Sequence, residues 1–499
     1  MYIGVDFGTS FSQAATLEFT QPVLLEDARE YGTPSVFYYD HENGIGVGTE
    51  ALECSQGYSS VNLKTDIKMD LLENKSVTVD DRTFSCEEII SEICKHVLTK
   101  SKRIASTRGI DPEIKGMVIT VPAKFGYLEK DIIARSISKA LGEPPIPVTG
   151  ILKEPVAAAL HYFQTNAEDG KNILVFDLGG GTCDIALVRA KSSSRDYYEV
   201  IDSEMERIGG RNWDAKITGR LIEVFEEQTG ISIKDNPLFQ RKILEAANSA
   251  KHRLSNQDKA ICRVEFDMGL QSYRLTLEEF DSLTSDLLDQ AVDALKRVYH
   301  RNISDCEIDD IICVGGSSNM QQIKRRIEQE FPLCKVRIHH PEYAVVYGAA
   351  LYADMRKDKK YEEEPEVHSN VIDRADFSYG IQIVDNKGTP QEKYRIQNMI
   401  LQNTVLPAVS NRLYRPSEDN MEAIVFRVYE TDTKEDHCDM DKYPMKKIGE
   451  LRLKLPPNTP MTTDFPSQLT LNQNGILEVK AWDIDGNALQ AEFNVLHNS

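Results

Sequence analysis

Two stretches of this chain obey one grammar, and their repetition constrains the fold more than any other feature. The first, MYIGVDFGTS, opens with an apolar run that ends in Asp6, Gly8 and the hydroxyls of Thr9 and Ser10. The second, NILVFDLGGGTCDIALV (172–188), is again an apolar strand followed by Asp177, the glycines Gly179, Gly180 and Gly181, then Thr182, Asp184 and a second strand. Glycines let the backbone turn tightly and aim N–H groups into a concavity that suits phosphate oxygens. An aspartate at each strand end suits Mg²⁺, which keeps much of its hydration shell. Either turn alone reads as an ordinary hairpin. Two that face one another make a phosphate clamp, and they predict a pair of similar lobes.

A third segment, DDIICVGGSSNMQQIKRRIEQEF, runs from strand through Gly315-Gly316-Ser317 into a helix of apolar period. Its turn lets the backbone approach a flat ligand above a helix N-terminus. With the paired hairpins it predicts a nucleotide lying across a cleft. Neither a P-loop nor a dinucleotide fingerprint is present, because no GxxxxGK[ST] occurs and no GxGxxG opens a helix.

The rest of residues 1–355 alternates strand-like runs such as GMVITVPAKF with helix-period segments. EEIISEICKHVLTKSKRIA, RKILEAANSAKHRL and DSLTSDLLDQAVDALKRVYH are the clearest helices. The region is α/β and long enough for several subdomains. RKDKKYEEEPEVHS (356–369) then reads as an exposed linker. From 377 onward only short strand-like runs appear: YGIQIV, AIVFRVYET, IGELRLKL, ILEVKAWD and LQAEFNV. Asn-Gly, Asp-Gly and Pro-Pro turns separate them, which predicts a second, all-β sandwich.

The formal charge of -21 is spread over the 499 residues without a long basic block. That argues against nucleic acid or an anionic membrane as a partner. No apolar run approaches the length of a membrane-spanning helix, and Met1 leads straight into a strand-like segment with no room for a leader peptide. The nine cysteines are scattered and contain no C-x-x-C pair, so neither a disulfide framework nor a zinc site is expected. A reducing, cytoplasmic setting is the simplest. Cys183 reads as packing beneath a turn.

The ordered segments IGVDFGTS, VITVPAKF, LKEPVAAALHYF, VFDLGGGTCDIALV, ERIGGRNWD, AKHRLS, VGGSSNMQQI and HPEYAVVYGAALYA resemble the ATPase domain of DnaK-type heat-shock chaperones, the 70-kDa heat-shock protein family. NTVLP and NGILEVKAWD are similar to that family's β-sandwich substrate domain. The resemblance implies an α/β actin-like ATPase domain of two lobes and four subdomains over 1–357, an interdomain linker over 358–376, and a β-sandwich over 377–499. It implies ATP/ADP, Mg²⁺ and K⁺ as ligands, and slow ATP hydrolysis as the reaction. Implied partners are unfolded or extended client peptides, a J-domain co-chaperone and a nucleotide-exchange factor.

Position by position, the resemblance sets Asp6 and Asp177 around the metal, with Glu154 near the attacking water. Thr9, Ser10, Gly8, Gly179, Gly180, Gly181 and Thr182 fall on the phosphates, with Asp184 nearby. Lys64 falls at the catalytic lysine, Lys68 being the alternative. Gly209, Gly210, Lys251, His252, Ser255, Gly315, Gly316, Ser317 and Glu342 fall around the nucleotide. Ile381, Ile383, Val384, Ser417, Ile424 and Phe426 would line a peptide cleft through the alternation of strands.

Several positions depart from the family. Asn248 replaces a ribose-binding glutamate, Asn319 an arginine that stacks on adenine, and Gly150 an arginine of the J-domain contact. The linker NVID (370–373) is less apolar than the family's. No helical lid follows HNS at the C-terminus, so the expectation is an uncovered peptide cleft. A nucleotide-switched scaffold and a sugar kinase are the competing classes, and the β-rich C-terminal region favours the chaperone.

Overall fold

The computed structural model describes residues 1–27, 31–55, 62–72, 76–166, 171–192, 196–230, 232–233, 236–266, 269–357, 371–473 and 475–492. Most of the proposed linker, 358–370, lies outside them. The chain divides into two compact units: Met1–Ala123, Ser136–Ser192 and Ser203–Lys359 form one, and Lys124–Arg135, Ser193–Asp202 and Lys360–Ser499 form the other.

The duplication read from the two hairpins is carried into the sheets of the first unit. β1 (Tyr2–Phe7), β2 (Phe11–Glu18), β3 (Gln21–Leu24), β4 (Gly116–Val121) and β5 (Val148–Lys153) are ordered β5-β4-β1-β2-β3. β6 (Asn172–Leu178), β7 (Cys183–Ser192), β8 (Asp196–Glu206, of which 203–206 belong to this unit), β9 (Asp310–Val314) and β10 (Lys335–Ile338) are ordered β10-β9-β6-β7-β8. In each sheet the first strand pairs antiparallel with its hairpin mate and parallel with a later strand. Each central strand is buried on both faces, which explains why IGVDF and ILVFDL read as continuous apolar runs.

Helices follow the predicted periods. α1 (Ile67–Leu72) is short; α2 (Cys86–Thr107) starts in a capping box in which Ser85 and Glu88 satisfy each other's backbone N–H. Its buried stripe of Ile89, Ile90, Ile93, Val97 and Leu98 is the apolar face seen in EEIISEICKHVL. α3 (Tyr127–Lys139), α4 (Glu154–Thr165), α5 (Gly210–Thr229) and α6 (Pro237–Leu254) follow. The segment DSLTSDLLDQAVDALKRVYH, read as one helix, is broken at Thr284 into Leu277–Leu283 and α7 (Ser285–Asn302). Thr284 is fully buried, and its hydroxyl bonds Phe280 O at 2.8 Å and Gln322 side-chain atoms at 3.0–3.3 Å. That local bonding competes with helix continuation. α8 (Ala344–Met355) closes the unit.

The second unit contains the predicted sandwich. β11 is Val371–Ile372; the five-stranded sheet joins β12 (Ser378–Asp385), β13 (Lys393–Ile400), β15 (Ala423–Thr431), β16 (His437–Asp439) and β17 (Met445–Lys454). The four-stranded sheet runs β14-β18-β19-β20, formed by Ala408–Tyr414, Phe465–Leu471, Leu477–Trp482 and Ala488–Glu492. Ile381, Phe426, Val428 and Leu451 from one sheet pack with Phe465, Leu469, Leu477 and Val479 from the other. Period-2 alternation is thus the physical basis of this core. Two segments distant in sequence belong to the same unit. Tyr127 is seated in its core, and Tyr198–Glu199 pair in parallel with β11. Arg374 holds Val200 O at 3.0 Å and Glu199 at 3.2 Å.

Among the described residues no helix is long and apolar enough to cross a membrane, and the cysteines are free thiols. Cys183 is fully buried and burial pushes its thiol well above the ordinary range, as a packing role requires.

Candidate nucleotide site

Both glycine turns close in the same way. Gly8 donates its N–H to Phe11 O at 3.1 Å, and Gly179 donates to Thr182 O at 3.0 Å. The turns face each other closely. A β-carbon at Gly180 would stand 2.3 Å from Ser10 Oγ, and one at Gly181 would stand 3.1 Å from Thr9 Oγ1. α5 begins against the second turn, where Gly210 and Arg211 donate their N–H groups to Gly179 O and Gly180 O at 3.0 Å. A β-carbon at Gly209 would lie 2.5 Å from the backbone of Gly180 and Gly181, so that approach requires glycine.

The third turn joins the same place. Gly315 has φ +79, in the left-handed region that favours glycine, and a β-carbon there would lie 2.5 Å from Asp177 Oδ1. Ser317 Oγ donates to Gly179 O at 2.9 Å. On α6, Lys251 Nζ reaches Gly210 O at 3.0 Å and Asp214 Oδ2 at 2.7 Å. Asn248 also turns its amide to Asp214, at 3.1 Å. Ser255 caps the end of α6. His252 on α6 and Glu342, just before α8, are exposed, and Asn319 ends the short turn that begins at Gly316.

Carboxylates gather beneath the turns. Asp6 on β1 lies in register with Thr120 on β4, whose hydroxyl donates to Asp6 Oδ1 at 2.7 Å. Asp177 and Asp184 sit directly opposite on β6 and β7. Asp184 Oδ1 accepts the N–H of Ala123 at 2.7 Å, and Thr182 also bonds this carboxylate. Asp184 Oδ2 is buried with no hydrogen-bond partner among the described residues.

The ammonium that these acids face belongs to Lys68. It is 2% exposed, donates to Phe7 O at 2.7 Å and is ion-paired with Glu154. Burial opposes its charge, but Glu154, Asp6 and Asp184 together hold its pKa above the ordinary value. Burial pushes Glu154 up to about 8 and Asp184 to about 6, and raises Asp6 and Asp177 as well. For Asp177, repulsion from Glu154, Asp184 and Asp6 adds to burial. Such an excess of buried negative charge suits a divalent cation, and the orphaned Asp184 oxygen fits the same purpose.

Lys64, favoured from the sequence, lies on a two-residue strand paired with Phe37 rather than among the groups facing Lys68's carboxylates. Of the two candidate lysines, it is Lys68 whose ammonium pairs with Glu154. Thr120, Asp214 and Arg211 were not singled out from sequence. Arg211 follows the glycine pair directly, and that adjacency was the available signal.

The expected peptide-cleft residues divide in the second unit. Ile381 and Phe426, each 1% exposed, are core residues between the sheets, which corrects their assignment to an open cleft in this structure. Ile383, Val384, Ile424 and Ser417 are partly exposed, and Ser417 Oγ accepts from Lys387 at 3.0 Å.

Comparison with known proteins places these features in context. A family model described as Hsp70 protein matches residues 52–495. Chaperone protein DnaK of Mycoplasmoides gallisepticum is similar at 28% identity over 502 aligned residues, covering 97% of this chain and 78% of that protein.

Proposed function

Because the chain belongs to the Hsp70 family, and is an ATP-dependent chaperone with ATPase activity, we propose that hydrolysis occurs between the two glycine turns with Lys68 as the catalytic cation. The observation that carries this reading is a buried ammonium set against Glu154 and in the field of Asp6 and Asp184. In phosphoryl transfer to water, positioning and charge neutralisation supply most of the catalysis. Gly8–Ser10 and Gly179–Thr182 present backbone N–H groups and hydroxyls to the phosphates. Glu154, fixed by Lys68, orients the water. Lys251, Ser255 and Gly315–Ser317 hold the nucleoside side.

Asp6 and Asp177 would hold Mg²⁺, directly or through water, with Asp184 in reserve; the ion would neutralise charge on the phosphates. The domain boundaries at 357 and 376, and a cytoplasmic location, belong to this same reading. Clients are extended apolar peptides taken up by the sandwich of the second unit, with J-domain and nucleotide-exchange proteins as cofactors of the cycle. At Gly150 a β-carbon would stand 3.3 Å from Arg356 Cδ and 3.2 Å from Tyr352.

The test is ATP turnover by the full chain, alone and with an unfolded apolar peptide and a J-domain protein. Turnover that rises with peptide supports the reading. Phosphorylation of an added sugar, or no turnover under any condition, overturns it.

A further inference from the structure

We propose that Arg211 reads the terminal phosphate of the nucleotide and so makes this site discriminate a triphosphate from a diphosphate. This rests on the nucleotide reading above. Arg211 is the second residue of α5, and its backbone N–H is already bonded to Gly180 O in the second glycine turn. Its side chain crosses to the other turn, where Nη2 donates to Thr9 O at 2.8 Å. The same guanidinium is ion-paired with Asp66. One residue therefore ties together both turns and the segment that carries Lys68.

Direction matters as much as contact. Gly210, one residue earlier, faces Ser317 and Lys251, the nucleoside side of the site. Arg211 extends its guanidinium to Thr9, Asp66 and the start of α1, while still feeling the charges of Asp214 and Lys251. The backbone carbonyl of Asp66 lies at that start, accepting the N–H groups of Met69 at 2.8 Å and Asp70 at 3.0 Å. A nucleotide whose base lies toward Ser317 would bring its last phosphate to the Arg211 and Lys68 end.

One of the partners of Arg211 is readily exchanged. Asp66 is nearly half exposed, and an ion pair of that kind is easily exchanged. Nη1 is buried and, among the described residues, has only the ion pair with Asp66. Burial lowers the guanidinium to about 10, which leaves it charged at neutral pH. A phosphate offers the fork two oxygens and more charge than Asp66 does. Arg211 thus waits on Asp66 and Thr9, and moves to a phosphate when the third one is present.

The experiment is calorimetric binding of MgATP and MgADP to the full chain and to Arg211→Ala, Arg211→Lys and Asp66→Asn, with thermal melts to confirm folding. Arg211→Ala should lose about tenfold or more in ATP affinity while ADP changes by no more than about twofold. Arg211→Lys should recover only part of the loss, since an ammonium lacks the fork. Asp66→Asn should bind ATP at least as well as the parent chain. Equal loss for ATP and ADP, or no loss for either, overturns the proposal. Failure of the parent chain to bind either nucleotide would instead overturn the nucleotide reading beneath it.

Discussion

At Gly209 a single methyl group would strike backbone, whereas at Gly180 it would meet the hydroxyl of Ser10, a side chain able to rotate. We predict that Gly209→Ala lowers nucleotide affinity by about tenfold or more, because α5 must retreat from the turn. Gly180→Ala should cost only a few-fold, and calorimetry with ADP separates the two; equal losses would contradict this account. That the aspartates and glycines of the candidate site gather together was legible from sequence, because each motif requires those residue types at fixed offsets. The choice between Lys64 and Lys68 was not legible. VNLKTDIKMD carries two lysines in similar polar surroundings, and only burial between Phe7 O and Glu154 tells them apart. Such a contact joins residues 86 apart in sequence, where no local pattern reports it.

Between elements, the second unit holds a buried acid in an unusual state. Glu430 on β15 accepts the N–H of Tyr127 at 2.8 Å and the hydroxyl of Tyr379 at 3.2 Å. Glu129, Lys130, Asp376 and Lys446 are the other charged groups around it, Lys130 pairing with Asp376 and Lys446 with Glu129. Burial raises Glu430 from 4.5 to about 7, partly offset by the Tyr127 N–H and reinforced by Glu129. The folded unit therefore binds a proton that the unfolded chain has released. Its stabilising effect is complete below about pH 4.5 and is lost as pH rises toward 7. Glu430→Gln should remove this pH dependence and stabilise the unit at pH 8 by up to roughly 3 kcal/mol. Melting curves of both proteins between pH 5 and 8 check it, and parallel curves would contradict it. The strands here were legible through alternation. That Tyr127 and Tyr198 join this unit was not, because both come from segments far away in sequence.

On the scale of the molecule, the repeated hairpin explains why one unit contains two sheets of matching strand order. The charged α/β region and the alternating β region follow from their periodicities. The site follows from neither sheet alone, since the first contributes Asp6 and one glycine turn while the second contributes Asp177, Asp184 and two turns, and the space between them has no counterpart in a single motif. Its activity should therefore depend on a cation delivered to that space from a third element, α1. Single-turnover hydrolysis of MgATP by the full chain, Lys68→Ala and Lys64→Ala tests this most directly. The account predicts that Lys68→Ala still binds ATP but hydrolyses it about a hundredfold more slowly or worse, while Lys64→Ala stays within about threefold of the parent. A chain that loses hydrolysis with Lys64→Ala and keeps it with Lys68→Ala would contradict it.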